Sequence, residues 1–244
     1  MKRLSAIQIG TPRVQYYDGI MMRANPSLHE GAFAILRKVA RNGARVIDVG
    51  SGQGAFAARL RDEGFQVTAV DKDPSDFKAT GIEFVEIDFD RPDQVNAFKR
   101  DHSTLYDIAV GMEVIEHVEN PWEYCRFLLS LVKPGGLVLL TTPNAESALS
   151  RIELLCTGTF SHFGPSDVIQ SGHINPLTFH ELHLIADGVG AETLVATAIC
   201  PLPWLIISRR PLVVLRSLMA ALVRIFAGRN ARGDVICFVL RKPK

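Results

Sequence analysis

A three-layer α/β fold on a largely parallel sheet is predicted by two patterns. Short apolar runs alternate with helical stretches along the chain, and each run is apolar throughout instead of alternating with polar residues. Strands of that kind are covered on both faces, as in a parallel sheet flanked by helices. With 244 residues the chain can bury one sizeable core, so a single domain over 1–244 is expected.

The elements follow in order. "NPSLHEGAFAILRKVARNG" reads as a helix with Ser27 at its N-cap, Glu30 three residues later and Gly43 near its end. Strands follow at "ARVIDVG" (44–50), "FQVTAV" (65–70), "IEFVEI" (82–87), "YDIAVG" (106–111) and "GLVLLTT" (136–142). Residues 53–63, 92–101 and 120–132 between them read as helices. After Thr142 comes a long, polar, turn-rich excursion over 143–176, where such a fold carries its binding loops, and then a helix in "PLTFHELHLIADGVG". Two last strands, "AETLVATAI" (191–199) and "DVICFVLRK" (234–242), enclose a basic, apolar helical insertion at 203–230.

Composition narrows the class. Apolar residues make up 47% and charged residues 22%, which excludes a disordered chain or a disulfide scaffold. Cys125, Cys156, Cys200 and Cys237 form no Cys-x-x-Cys pair, which argues for reduced thiols in a cytoplasmic setting and against structural zinc. The basic start lacks a long apolar stretch behind it, so no secretory signal is expected. Net charge is +1, yet residues 209–244 hold nine Lys/Arg against Asp234 alone, a balance of +8 that leaves about −7 for the rest.

"VIDVGSGQG" (46–54) ends a strand in three glycines behind one acid, a loop bare enough for a ligand to approach the backbone. Gly50-x-Gly52-x-x-Ala55, with Asp71 nineteen residues beyond Gly52, also satisfies a relaxed dinucleotide fingerprint. Asp48 separates the two readings, because a carboxylate there sits badly beside a pyrophosphate and well beside a cation. S-adenosylmethionine (SAM), with a sulfonium and an ammonium and no phosphate, fits that electrostatics. Asp71 ends the next strand where it can accept from ribose hydroxyls, and "EIDFD" offers Asp88 to an adenine amino group with Phe89 against the base.

"VIDVGSGQG", "VTAVDKDP", "EIDFD", "YDIAVGMEVIEHVENP" and "LVKPGGLVLLTTPN", in this order over residues 44–144, resemble the class I SAM-dependent methyltransferases. The resemblance implies a doubly wound, Rossmann-like sheet of seven strands with an antiparallel last strand. It implies a donor site from Asp48, Gly50, Ser51, Gly52, Gly54, Asp71, Lys72, Asp88, Phe89, Met112 and Glu113, with the three glycines clearing space for the methionine end and S-adenosylhomocysteine (SAH) as product. The "EHV" turn is similar to that of ubiquinone-biosynthesis-type O-methyltransferases and places His117 as the base that deprotonates a hydroxyl acceptor. Glu113, Glu116 and Glu119 crowd this imidazole and are expected to raise its pKa.

The stretch from Ser150 to Leu182 is similar to methyltransferases of surface-polysaccharide gene clusters, which implies a small-molecule, sugar or lipid-linked glycan hydroxyl as acceptor. His162, Asp167, His173 and Asn175 are the pocket candidates there, and no spacing among them supports a metal. Tyr16 and Tyr17 are candidates for a lid over the donor. Residues 211–227 are too interrupted by Arg216, Ser217 and Arg224 to span a membrane. Arg209, Arg216 and Arg224 fall near one helical face, the pattern of an anchor on anionic lipid at the inner membrane surface; a helix packed on its own domain or on a second copy fits the same residues. Nucleic acid is not expected, since the basic stretch carries no reader motif, and the chain is expected to be a monomer or homodimer.

Overall fold

The computed structural model describes residues 7–9, 14–89 and 91–244. A hairpin of β2 (Gln15–Tyr17) and β3 (Ile20–Met22) precedes α1 (Leu28–Val39). The alternating body then runs β4 (Arg45–Val49), α2 (Ala55–Asp62), β5 (Gln66–Asp71), β6 (Glu83–Glu86), α3 (Pro92–His102), β7 (Tyr106–Met112), α4 (Pro121–Leu131) and β8 (Val132–Pro143). It is followed by α5 (Ala148–Thr157), α6 (Pro165–Ser171), α7 (Phe179–Gly188), β9 (Glu192–Pro201), β10 (Leu205–Ile207), α8 (Pro211–Phe226) and β11 (Gly233–Arg241). A short strand β1 (Ile7–Ile9) pairs in parallel with β10, away from the main sheet.

The main sheet has seven strands in the order β6-β5-β4-β7-β8-β11-β9, and only β11 runs antiparallel to its neighbours. This is the Rossmann-like three-layer architecture the sequence predicts. Helices cover both faces because β4 sends Val46 to one side and Ile47 and Val49 to the other. Leu28, Leu36, Phe56 and Leu60 of α1 and α2 pack with Val46, and Tyr124, Leu128, Phe179 and Leu182 of α4 and α7 close the opposite core. Since β4 has β5 on one flank and β7 on the other, the strand order reverses at β4 and opens a crevice at the carboxyl ends of β4 and β7.

Local chemistry sets the helix starts. Asn120 Oδ1 takes the amides of Trp122 and Glu123 ahead of Pro121, and Thr178 Oγ1 takes that of Glu181. Ser27 stands at the start of α1 but caps nothing with its side chain; it sits at φ 72° and its own amide donates to Gln15 Oε1. The excursion after Thr142 is not irregular throughout, since α5 and α6 lie within it. No described helix is long and apolar enough to cross a membrane.

Candidate active site

The loop leaving β4 is held by two amides, Gly50 and Ser51, that donate to Val70 O at 2.8 and 3.1 Å. Its three glycines have positive φ and different reasons for being glycine. A Cβ on Gly50 would collide with Val114 and one on Gly54 with Phe77 and Ala79, so both make room for protein side chains and not for a ligand. Gly52, at φ 52°, faces open space. Its amide donates to Asp71 Oδ2 at 2.8 Å, while Asp71 Oδ1 takes the amide of exposed Lys72. Asp71 therefore fixes the loop from the end of the neighbouring strand.

A narrow cleft of about 130 Å³ lies over this loop, lined by Asp48, Gly50, Ser51, Gly52, Gln53, Met112 and Glu113 below and by Met21, Met22 and Arg23 of the hairpin above. Asp48 is buried with Oδ2 unpartnered, and Ser51 Oγ and Gln53 Oε1 are likewise unpartnered. Burial, reinforced by the Asp71 charge, pushes the Asp48 carboxyl up to about 7. An orphaned acid in a cleft of unsatisfied acceptors suits a ligand that brings cationic donors, which SAM does.

Phe89 and the tyrosines stand elsewhere than the sequence suggests. Phe89 packs edge-on against Phe127 at 5.4 Å, on the rim of the core, and half-buried Asp88 has its amide bonded to Gln94 Oε1. Tyr16 points to solvent, whereas Tyr17 donates to Asp62 Oδ2 and lies under the Arg59 guanidinium on α2. The cover over the cleft is made instead by Met21 and Met22 on the second hairpin strand. That hairpin turns on Asp18-Gly19, both at positive φ, and the Asp-Gly pair is its signal in the sequence.

A second cavity of about 970 Å³ adjoins the first, and Glu113, Arg23 and Ala24 line both. His117, His162, His173 and Asp234 converge on it. Glu113 sits at φ 54°, with its amide shared between Thr141 O and Oγ1 and its Oε1 accepting from Thr141 Oγ1 at 2.9 Å. His162 and Cys200, at φ 68° and 54°, are two more strained residues on the same cavity wall, a clustering typical of functional sites. Burial raises the Glu113 carboxyl to about 7.

Glu116 is fully buried, and desolvation together with the Glu113 charge holds it well above the carboxylate range. The expectation for His117, whose Nε2 lies 3.8 Å from Glu116 Oε1, is overturned: burial, then the neighbouring His173, lower its pKa below the ordinary 6.5. His117 is a neutral imidazole at pH 7, able to accept a proton. His162 is the opposite case, because its bond to Asp234 Oδ2 at 3.2 Å lifts it to about 9.

Asp234, the lone acid of the basic carboxyl-terminal stretch, also accepts from Asn25 Nδ2 at 2.5 Å. Neither residue is visible as a site by local motif, and the isolation of Asp234 among nine cations is the one signal for it. Asp167 and Asn175 serve the loops and do not line the cavity. Asp167 caps α6 by accepting from the Gly164 amide at 2.9 Å, and Asn175 ties its segment to the 113–118 turn through Val118 O and Glu116 O. His173 Nδ1 bonds His162 O at 2.8 Å, and its ring meets that of His117 edge-on at 4.8 Å. Glu116, His117 and His173 bring ligand atoms within 4.8 Å of one another, a set that could hold a metal ion and that has no recognisable sequence spacing.

A family model described as "Methyltransferase domain" matches residues 23–195, more than half of the chain. The chain belongs to this family. It is similar to the ubiquinone biosynthesis O-methyltransferase of Xanthomonas campestris pv. campestris, 35% identical over 118 residues, covering 47% of this chain and 49% of the relative. The Rickettsia typhi protein of the same name is 35% identical over 101 residues, 41% of each chain. The chain thus spans about half the length of the curated relatives it matches. Among solved structures, a SAM-dependent methyltransferase from Archaeoglobus fulgidus superposes with a TM-score of 0.58 at 18% identity, over 86% of this chain and 92% of that one. The [4+2]-cyclase SpnF superposes at 0.56 and 16% identity, over 96% and 88%. Such likenesses show the fold alone. Fold and family agree: the chain carries a methyltransferase domain on a seven-stranded Rossmann-like sheet.

Proposed function

We propose that the protein moves a methyl group from SAM to a hydroxyl of a small-molecule, sugar or lipid-linked glycan acceptor. The observation that carries this reading is the meeting of two cavities at Glu113, one built for a cationic ligand and one lined by a neutral and a charged histidine. When bound, SAM supplies a methyl already activated on sulfur. Asp48 and Glu113 face its positive groups, Met112 packs beside them, and Asp71 holds the loop while keeping lone pairs for the ribose. Lys72 and Asp88 close the far end in this reading.

In-line methyl transfer asks the protein mainly to align donor and acceptor and to exclude water. His117 removes the acceptor's proton, which its lowered pKa allows at neutral pH. His162, held by Asp234, donates to the acceptor oxygen or to a neighbouring group and so orients it. Asn25, Gln15 and Gln170 add polar contacts suited to a hydroxylated compound. The similarity to the quinone-pathway relatives supports oxygen as the methylated atom, and a lipid-linked acceptor would place the protein at the cytoplasmic face of a membrane.

The test combines calorimetry with turnover. SAH should bind, NAD should not, and His117→Ala should keep SAH affinity while losing turnover on any acceptor found. SAH binding without methyl transfer to any acceptor would favour a binding module, for which SpnF's fold is a reminder that chemistry resides in the site.

A further inference from the structure

Helix α8 is amphipathic in the inverted sense. Its polar residues face the body of the protein: Arg224 is 3% exposed with its guanidinium 5.4 Å from the Trp204 ring centroid, and Arg216 pairs with Glu153 of α5 at 3.4 Å. Ser217 is buried and accepts the Ile206 amide. The outward face is made of Leu212, Leu215, Leu218, Leu222, Ile225 and Phe226, which are 49–87% exposed. At the helical advance per residue these six positions fall in one arc of roughly 140°. Leu155 of α5, the helix that Arg216 ties to α8, is itself 76% exposed. Scattered exposed leucines need no account, but a contiguous apolar face of this size marks a contact surface.

The charge around the face selects its occupant. Exposed Arg209 and Arg210 precede the helix and exposed Arg229 and Arg232 follow it, and among the described residues none of the four forms an ion pair. A second copy docking on this face would bring two such basic segments together and pay their repulsion. A bilayer rich in anionic headgroups gains from both features, since leucines enter the acyl boundary while guanidiniums reach phosphate. Sixteen residues make a helix about 24 Å long, short of the ~30 Å hydrocarbon core, so it lies along the surface.

We propose that this outward face of α8, bracketed by its four free arginines, docks the protein on an anionic membrane surface. The sequence pattern points to lipid through Arg209, Arg216 and Arg224 together; the structure turns two of these inward and gives the contact to the leucines. Pro201, Leu202 and Pro203, which lead into β10 and α8, line the large cavity, as do Gln170 and Ser171 beside exposed Ile169 of α6. The proposal does not depend on methyl transfer, because SAH calorimetry reports that reading separately.

The test is flotation of the full chain with vesicles of phosphatidylcholine alone and of an equal mixture of phosphatidylcholine and phosphatidylglycerol, at low and high salt. The protein should float with the mixed vesicles, weakly or not at all with the neutral ones, and less at high salt. Leu218→Asp combined with Leu222→Asp should cut the bound fraction by about 10-fold or more while SAH affinity stays unchanged, which shows the variant folded. Flotation on neither composition, equal flotation on both, or flotation that survives the double substitution would overturn the proposal. A dimer that the double substitution dissolves, with no vesicle binding by the wild type, would assign the face to a second copy and also overturn it.

Discussion

The donor cleft and the acceptor cavity touch at Glu113 and are built in different ways. The floor of the cleft is assembled from strand ends that follow in chain order, with Asp48, the glycine loop, Asp71 and Met112 all within residues 48–112, under a cover of Met21 and Met22. The cavity draws Asn25, His117, His162 and Asp234 from segments more than 200 residues apart. One is fixed by local backbone geometry, the other by tertiary packing, and the two should respond to substitution separately.

The largest expected effect lies on the acceptor side. His117→Ala should lower kcat by about 10²–10⁴-fold, the usual loss for a general base, with SAH affinity unchanged by calorimetry. A fall in SAH affinity of similar size would merge the two regions into one site. On the donor side, Asp48→Asn should weaken SAM binding by about 10–100-fold, the scale of a lost charge-assisted hydrogen bond. The same variant should melt at a higher temperature above pH 7.

The sign follows from linkage. The Asp48 carboxyl rises from an ordinary 3.8 to about 7 on folding, so the stability tied to its proton is full below 3.8 and lost as pH climbs through 7. Asparagine carries no charge to bury. Glu113, raised to about 7, and Glu116, raised well above its ordinary value, act in the same direction, and His117 acts in the opposite one at low pH.

His162→Asn sharpens the comparison at smaller amplitude. It should raise the acceptor KM by about 10-fold, the value of one hydrogen bond from a charged group, and leave SAH binding alone. The pH profile of kcat/KM at saturating SAM should be bell-shaped. Its acid limb reports His117 gaining a proton below 6.5, and its alkaline limb reports His162 losing one near 9. A profile flat across the acid range would remove His117 as the base.

The difference between the regions also explains what could be read without a structure. Strands β4 to β8 and the loop of Asp48 were legible because apolar runs and glycines report local geometry that the parallel sheet then preserves. His162 and His173 could be named as pocket residues from their motif, yet the partner of His162 could not, since Asp234 lies 72 residues away on the antiparallel strand of the main sheet. Tyr17 is a lid candidate by its position ahead of the first helix, and its ring instead packs under Arg59. The arginines of α8 were visible as a face, but which side of a helix meets the protein depends on what the neighbouring helix offers, here Glu153 on α5. The pKa of His117 departs from the sequence expectation for a related reason: its own burial and the neighbouring His173 lower it, and burial cannot be counted from spacing.

The most direct measurement is calorimetric titration of the wild-type chain with SAH and with NAD at about one pH unit below and above the Asp48 transition near 7. The account expects SAH to bind at both values, more tightly at the higher one where Asp48 and Glu113 are ionised, and NAD to give no binding heat. Saturable NAD binding with no response to SAH would contradict it.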